Sequence, residues 1–128
     1  MKKILIVDDS ESIREQVAEA LTGAGFAVVE ASDGMAGLQR VAQNDFTAII
    51  LDVNMPFLNG LEMLERLKQD PKTAAIPVFM LTTEAQRSMI ERARKSGATA
   101  WLIKPVKMES LVSMVKKVVA TAAAAATG

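Results

Sequence analysis

The sequence of 128 residues contains no histidine, no cysteine and no tyrosine. The absence of cysteine excludes disulfide bonds, thiolate nucleophiles and cysteine-ligated zinc. The absence of histidine excludes Ser-His-Asp hydrolysis and imidazole acid–base chemistry. A metal ion would have to bind oxygen ligands, which favours hard cations such as Mg²⁺, Mn²⁺ or Ca²⁺.

Charge and hydropathy exclude further classes. The 15 basic and 15 acidic side chains give a formal net charge of zero, so no basic surface indicates binding to nucleic acid or to an anionic membrane. Half of the residues are hydrophobic, but no apolar run approaches the length of a transmembrane helix. The apolar run at residues 4–7 is too short for a signal-peptide core. We therefore expect one cytoplasmic domain, without a nucleic-acid or membrane partner.

Short apolar runs alternate along the chain with amphipathic patterns of helical period. The runs predict strands over residues 3–7, 27–30, 47–51, 77–81 and 100–103. The amphipathic patterns predict helices over residues 12–21, 34–41, 61–67, 85–95 and 109–119. Five successive strand–helix units predict a parallel sheet with helices on both faces.

The ends of the predicted elements carry turn and cap signals. Either Ser10 or Ser12 can cap the first helix, and Ser12 has capping-box spacing to Glu15. Residues 120–126 are almost all alanine, which predicts that the last helix frays into this segment. We expect a folded domain over 1–120 and an Ala-rich tail over 121–128, with no output domain.

Four of the five predicted strands are followed by polar or charged side chains. In an open parallel sheet these positions meet at one edge, where ligands bind. They are Asp8 and Asp9 after the first strand, Asp52 after the third, Thr82 and Thr83 after the fourth, and Lys104 after the fifth.

Asp8, Asp9 and Asp52 would bring three carboxylates into one small pocket. They would repel one another unless they take up protons or a cation neutralises them, and Mg²⁺ prefers such oxygen ligands. Asp52 directly follows an apolar strand, so a partly desolvated carboxylate there can act as a nucleophile toward phosphorus. The alternatives are that Asp8 and Asp9 stabilise a helix N-terminus and that Asp52 forms a turn before Pro56.

Lys104 and Thr82 would lie at the same edge. The Lys104 ammonium can pair with Asp52 at rest and with a phosphoryl oxygen after transfer. The Lys104–Pro105 peptide bond can be cis, which would fix the direction of the lysine. The alternatives are an exposed turn lysine and an ordinary strand threonine.

Together these motifs resemble the receiver domain of two-component response regulators, particularly stand-alone CheY-type chemotaxis regulators. They are Val-Asp-Asp-Ser at 7–10, Leu-Asp-Val-Asn-Met-Pro at 51–56 with Gly60 closing the loop, Leu-Thr-Thr at 81–83 and Lys-Pro at 104–105. The resemblance covers residues 3 to 119. It implies a flavodoxin-like doubly wound (βα)5 three-layer sandwich, with a parallel five-stranded sheet in the order 2-1-3-4-5.

The resemblance also implies a metal site and a phosphoacceptor. Asp52 would accept the phosphoryl group. Mg²⁺ or Mn²⁺ would be bound by Asp9 as the main carboxylate, by Asp8 and Asp52, and by the backbone carbonyl of Asn54. The side chains of Asn54 and Glu84 would tune the lifetime of the aspartyl phosphate. The protein would catalyse only its own phosphoryl transfer and dephosphorylation, so it would not be an enzyme in the ordinary sense.

Phosphoryl binding would be shared between side chains and backbone. The resemblance implies that Lys104 and Thr82 contact the phosphoryl oxygens, joined by the backbone N–H groups of Val53 and Thr83. The phosphoryl group would then draw the Thr82 hydroxyl inward, and an aromatic residue of the fifth strand would swing into the vacated space. That residue is Trp101, where the family usually has Tyr or Phe. Three outcomes are open for the larger indole: it takes the inward switch position, it stays outside, or it is trapped. The alternative is that Trp101 merely covers apolar surface.

The implied readout surface is the 4-5-5 face, formed by the fourth helix, the fifth strand and the fifth helix. Lys107, Met108 and Met114 are candidate contacts there. The implied partners are a sensor histidine kinase as phosphodonor and a downstream target, with a flagellar motor switch in chemotaxis as the first choice. The chain would be a monomer or a weak dimer.

Three other functions are open at this point. A stand-alone receiver can act as a phosphorelay shuttle outside chemotaxis. It can also serve as a phosphorylation-independent interaction module. A phosphatase resembling the haloacid dehalogenase family uses similar groups, but it usually has Asp-x-Asp after the first strand, which this sequence lacks.

Overall fold

A computed structural model describes residues 2–127, and side-chain environments within residues 2–122. Its strands are β1 (Lys3–Val7), β2 (Ala27–Ala31), β3 (Ala48–Leu51), β4 (Val78–Thr82) and β5 (Ala100–Ile103). Its helices are α1 (Glu11–Gly23), α2 (Gly34–Gln43), α3 (Gly60–Gln69), α4 (Arg87–Lys95) and α5 (Met108–Thr127). Strands and helices alternate along the chain as predicted.

The five strands form one sheet in the order β2-β1-β3-β4-β5, and every neighbouring pair is parallel. This confirms the predicted flavodoxin-like fold. The chain leaves β1 toward β2 and later returns to β3 on the other side of β1. The topological switch point therefore lies between β1 and β3, where doubly wound sheets bind ligands.

Helices cover both faces of the sheet and create two cores. Alternate residues of a strand point to opposite faces. Leu5 and Val7 accordingly join a core that contains Leu61 and Leu64 of α3, whereas Ile4 and Ile6 join a second core. That second core contains Val17 and Leu21 of α1 and Leu111, Val115 and Val119 of α5. Strands buried on both faces explain the nearly continuous apolar runs in the sequence.

The first helix begins after Ser10, one of the two residues predicted to cap it. Ser10 is the N-cap of α1, and its hydroxyl accepts the Ile13 N–H at 3.4 Å. Ser12 lies inside the helix, so the capping box predicted for Ser12 and Glu15 is wrong. The reciprocal pair of hydrogen bonds forms instead at Asn59 and Glu62, at the start of α3.

Only β1 and β5 have the predicted bounds, and most other boundaries differ by one or two residues. α4 begins at Arg87 rather than at residue 85, since its N-cap Gln86 is in an extended conformation. α5 does not end near residue 119 but continues through the Ala-rich segment to Thr127, because alanine is the strongest helix former. No helix within residues 2–127 is long and apolar enough to cross a membrane. The predicted bounds 1–120 and 121–128 include Met1 and Gly128, which lie outside the described residues.

Candidate functional site

Three carboxylates meet at the switch point of the sheet. Oxygen atoms of Asp8, Asp9 and Asp52, one from each residue, all lie within 4.8 Å of one another. The cause is strand register: Val7 of β1 lies opposite Leu51 of β3, so the next residue of each strand leaves the sheet side by side. Asp8 is 2% exposed and Asp52 is 6% exposed, whereas Asp9 is open to solvent.

Polar contacts hold both the carboxylate and the backbone carbonyl of Asp8. Its Oδ1 accepts the Ser10 N–H at 2.9 Å, and its Oδ2 lies 2.7 Å from Lys104 Nζ. Arg14 Nη1 donates to the Asp8 carbonyl at 2.6 Å. No sequence motif indicated Arg14, because this contact depends on how α1 folds back over the end of β1.

Asp52 is the more weakly paired of the two buried acids. Its Oδ1 accepts the Val53 N–H at 2.8 Å, and its Oδ2 lies 3.5 Å from Lys104 Nζ. We expected Lys104 to pair with Asp52, but the lysine lies closer to Asp8. The Lys104 N–H donates to the Thr82 carbonyl at 2.9 Å and continues the β4–β5 ladder. The Lys104–Pro105 peptide bond is cis, as the sequence allows.

The surroundings of Asp52 disfavour its charged form. Burial raises the pKa of the Asp52 carboxyl above its ordinary value of 3.8, and the nearby Asp8 charge raises this pKa further. The Lys104 ammonium, the Thr82 hydroxyl and the Val53 N–H act in the opposite direction without cancelling the rise. An ionised Asp52 therefore costs folding free energy unless a cation approaches it.

This raised pKa gives a testable pH dependence of stability. As the pH rises from 3.8 to the folded-state pKa of Asp52, the unfolded chain releases this proton while the folded chain keeps it. The free energy of unfolding should therefore fall across that interval and stay lower above it. The difference between the wild type and Asp52→Asn isolates this effect in metal-free urea unfolding. If the free energy of unfolding changed with pH in the same way in both proteins, the surroundings of Asp52 would not disfavour its charged form.

Glu84 connects the carboxylate pocket to β5. Its N–H donates to the hydroxyl of the fully buried Thr82 at 3.2 Å. Its carboxylate accepts from Asn54 Nδ2 at 3.2 Å, and its carbonyl accepts from Trp101 Nε1 at 2.9 Å. The sequence motifs indicated these four residues separately. Their direct contacts with one another became visible only in the fold.

Trp101 is half-buried and packs against the core on the α3 side of the sheet. Its indole N–H bond to the Glu84 carbonyl is one that a phenylalanine at this position would lack. The side chain therefore does more than cover apolar surface, because it ties β5 to the loop that follows Thr82. Thr83, in that loop, is exposed at the same edge of the sheet.

Gly60 closes the loop between β3 and α3 directly behind Asp52. Its N–H donates to the Val53 carbonyl at 2.9 Å. A methyl group at Gly60 would lie 2.0 Å from the backbone oxygen of Asp52, so a side chain is excluded there. The close approach of these two backbone segments fixes where the Asp52 carboxylate leaves β3.

The three carboxylates form a donor set that fits Mg²⁺ or Mn²⁺. Both ions prefer oxygen ligands, and two ligands on opposite sides of Mg²⁺ are about 4.2 Å apart. The separation of at most 4.8 Å within the cluster of Asp8, Asp9 and Asp52 is close to that span. Lys104 forms ion pairs with Asp8 and Asp52, so its single positive charge does not balance the three carboxylates. A divalent cation would relieve the remaining repulsion.

The sequence matches the response regulator receiver domain family over residues 4–116. It is 34% identical over 117 residues to chemotaxis protein CheY-3 of Vibrio cholerae, covering 91% of this chain and 90% of that protein. It is 32% identical to chemotaxis protein CheY of Pseudomonas aeruginosa, covering 91% and 94% of the two chains.

Solved structures agree with these sequence matches. Chemotaxis protein CheY4 of Vibrio cholerae superposes with a TM-score of 0.86 at 38% identity, covering 91% of this chain and 98% of that one. A CheY-like receiver domain of Methanospirillum hungatei gives a TM-score of 0.91 at 26% identity, covering 95% and 96%. Receiver domains bind Mg²⁺ at an acidic aspartate cluster of this kind, and they are not classical enzymes. The fold, the carboxylate pocket and these matches together show that the chain belongs to the response regulator receiver domain family.

Proposed function

We propose that this chain is a response regulator receiver that accepts a phosphoryl group on Asp52 from a sensor histidine kinase. The observation that carries the proposal is the convergence of Asp52, two further carboxylates and Lys104 at the switch point of the sheet. One pocket thus offers a nucleophile, a set of oxygen ligands and a lysine ammonium. Val53 and Asn54 follow Asp52 in its loop, whereas Thr82 ends β4 and is followed by Thr83 and Glu84.

The chemistry proposed for Asp52 is an exchange of one bond for another. A carboxylate oxygen of Asp52 attacks the phosphorus of a phosphohistidine on the kinase. The N–P bond breaks, and its electron pair stays on the imidazole nitrogen. The product is an acyl phosphate on Asp52. Hydrolysis then returns the protein to its unphosphorylated form. A water oxygen attacks phosphorus and the P–O bond to Asp52 breaks, which regenerates the carboxylate and releases inorganic phosphate.

The other residues of the pocket stabilise the charge that this reaction brings in. Lys104 lies within 3.5 Å of Asp52 and can turn from the carboxylates toward a phosphoryl oxygen. The Thr82 hydroxyl and the backbone N–H groups of Val53 and Thr83 can donate to the other oxygens. Asp8, Asp9, Asp52 and the Asn54 carbonyl would hold Mg²⁺ or Mn²⁺, which supplies positive charge opposite the phosphoryl group.

The signal would leave through the region around Trp101. Glu84 contacts both the Thr82 hydroxyl and the indole, so an inward movement of Thr82 would disturb the bond that holds Trp101. The 4-5-5 face, formed by α4, β5 and α5, would then bind its target with a changed affinity. Coupling of this kind typically amounts to about 1–3 kcal/mol.

The similarity to chemotaxis proteins supports a role in chemotaxis. CheY-like receiver domains interact with histidine kinases and with downstream targets. For this chain the proposed target is a flagellar motor switch, and the proposed location is the cytoplasm, where such a kinase domain would meet it. The chain would carry out only its own phosphoryl transfer and dephosphorylation.

Incubation with Mg²⁺ and a small acyl phosphate tests the proposal. Intact mass should increase by one phosphoryl group, and the increase should be lost when EDTA replaces Mg²⁺. Trp101 is the only tryptophan, so its fluorescence reports β5 in the same sample. A mass increase without a fluorescence change would keep the phosphoacceptor and reject Trp101 as part of the switch. No mass increase would favour the phosphorylation-independent interaction module.

A further inference from the structure

The most exposed large apolar side chains lie around the carboxylate pocket. Among the described residues, Met35 is 48% exposed, Phe57 is 89% exposed and Ile103 is 43% exposed. Met35 lies in the first turn of α2 after β2, Phe57 lies between β3 and α3, and Ile103 ends β5. All three positions therefore belong to the edge of the sheet that carries Asp52. We call Met35, Phe57 and Ile103 the apolar rim.

Phe57 has an unusual backbone conformation as well as an exposed ring. Its φ angle is 70°, and the Leu58 N–H donates to the Pro56 carbonyl at 2.9 Å across it. This hydrogen bond closes a γ-turn with Phe57 at its centre, and at positive φ such turns are rare and strained. Asparagine or glycine adopts this region far more readily than a bulky aromatic residue.

The fold gains nothing visible from a phenylalanine at this position. The turn is held by its neighbour Leu58, which is 4% exposed and belongs to the core on the α3 side of the sheet. The start of α2 packs against the same turn, since a methyl group at Gly34 would lie 2.5 Å from the Leu58 carbonyl oxygen. Both contacts are made by residues other than Phe57. The exposed ring thus adds strain without burial, which indicates a contact made outside the chain.

The distance of Phe57 from Asp52 indicates which partner contacts the exposed ring. Five residues of extended chain span at most about 18 Å, so Phe57 lies within that distance of Asp52. Gly60 brings the loop back to Val53 at 2.9 Å and shortens the span further. A standard interface covers about 800 Å² on each partner, which corresponds to a radius of about 16 Å around its centre. A protein centred on Asp52 therefore reaches Phe57, and Met35 and Ile103 lie at the same edge of the sheet.

We propose that Phe57 is the aromatic anchor of a docking surface, the apolar rim, for the protein that donates its phosphoryl group from histidine to Asp52. This inference rests on the proposed function. The donor is the partner whose chemistry requires contact with this edge, because its histidine must reach the Asp52 carboxylate. Its surface around the histidine should be apolar to complement the rim. Aromatic residues are enriched at protein interfaces, where a few buried anchors supply most of the affinity.

Two substitutions separate the ring from the turn. Phe57→Asn removes the aromatic side chain and tolerates positive φ, so the loop is retained. Phe57→Tyr keeps the ring. The probes are a small acyl phosphate, which needs no protein docking, and the histidine-phosphorylated domain of a sensor kinase chosen because it labels the wild-type chain. With the kinase domain below saturation, phosphoryl transfer to Phe57→Asn should be at least about tenfold slower than to the wild type. Transfer to Phe57→Tyr should proceed at about the wild-type rate.

Labelling by the small acyl phosphate should proceed at the wild-type rate in both variants. Urea unfolding should show that Phe57→Asn is at least as stable as the wild type. Equal transfer from the kinase domain to the wild type and Phe57→Asn would overturn the docking surface. A wild-type dimer that becomes monomeric in Phe57→Asn would also overturn it, by assigning the rim to a second copy. A wild-type chain that neither a kinase domain nor the small donor labels would instead reject the proposed function.

Discussion

Replacing Asp52 by asparagine is expected to abolish phosphoryl uptake. A neutral amide lacks the negative charge of a carboxylate and is too weak a nucleophile to take up the phosphoryl group. The amide oxygen can still accept the Val53 N–H that lies 2.8 Å from Asp52 Oδ1, so the loop should keep its position. Intact mass after incubation with Mg²⁺ and a small acyl phosphate should show the added group on the wild type and none on Asp52→Asn.

A matched substitution excludes a general effect of removing one negative charge. Asp45 is exposed and lies in the loop before β3, away from the carboxylate cluster. Asp45→Asn should therefore be labelled at the wild-type rate. A phosphorylated Asp52→Asn protein would move the acceptor to another residue. Asp9 would be the first candidate, because it is the exposed acid of the cluster.

Replacing Lys104 by glutamine is expected to have the second largest effect. The substitution removes the cation next to the position of the incoming phosphoryl group. Loss of one such charge-stabilising donor slows comparable reactions by about 10²–10³-fold. It also leaves Asp8 and Asp52 facing each other without the ammonium that lies 2.7 Å and 3.5 Å from them. Breaking a buried ion pair in this way costs about 3 kcal/mol of stability.

Two measurements separate these effects of Lys104. Labelling kinetics with a small acyl phosphate at saturating Mg²⁺ report the loss in rate, and urea unfolding in EDTA reports the loss in stability. Lys72→Gln is the control, since Lys72 is exposed and follows α3 rather than β5. If Lys104→Gln were less stable but labelled at the wild-type rate, Lys104 would have only a structural role.

The sequence alone determined the fold of this protein. Apolar runs of strand length alternate with amphipathic helical patterns, and these periodicities reflect burial, which is a local property of each element. They predicted all five strands and all five helices, and the motif resemblance added the sheet order. The residues that follow the strands identified the edge that carries Asp8, Asp9, Asp52 and Lys104. In a parallel sheet the carboxyl ends of the strands point the same way, whatever the details of packing.

Tertiary structure decided how these groups contact one another. Lys104 pairs more closely with Asp8 than with Asp52, although 96 residues separate the lysine from Asp8. Glu84 joins Thr82 to Trp101 through its backbone. The strained, exposed Phe57 gives no signal in hydrophobic periodicity. Each of these features depends on strand register, side-chain rotamers and loop closure between elements distant in the chain. Local sequence patterns record burial, and they contain no information about such distances.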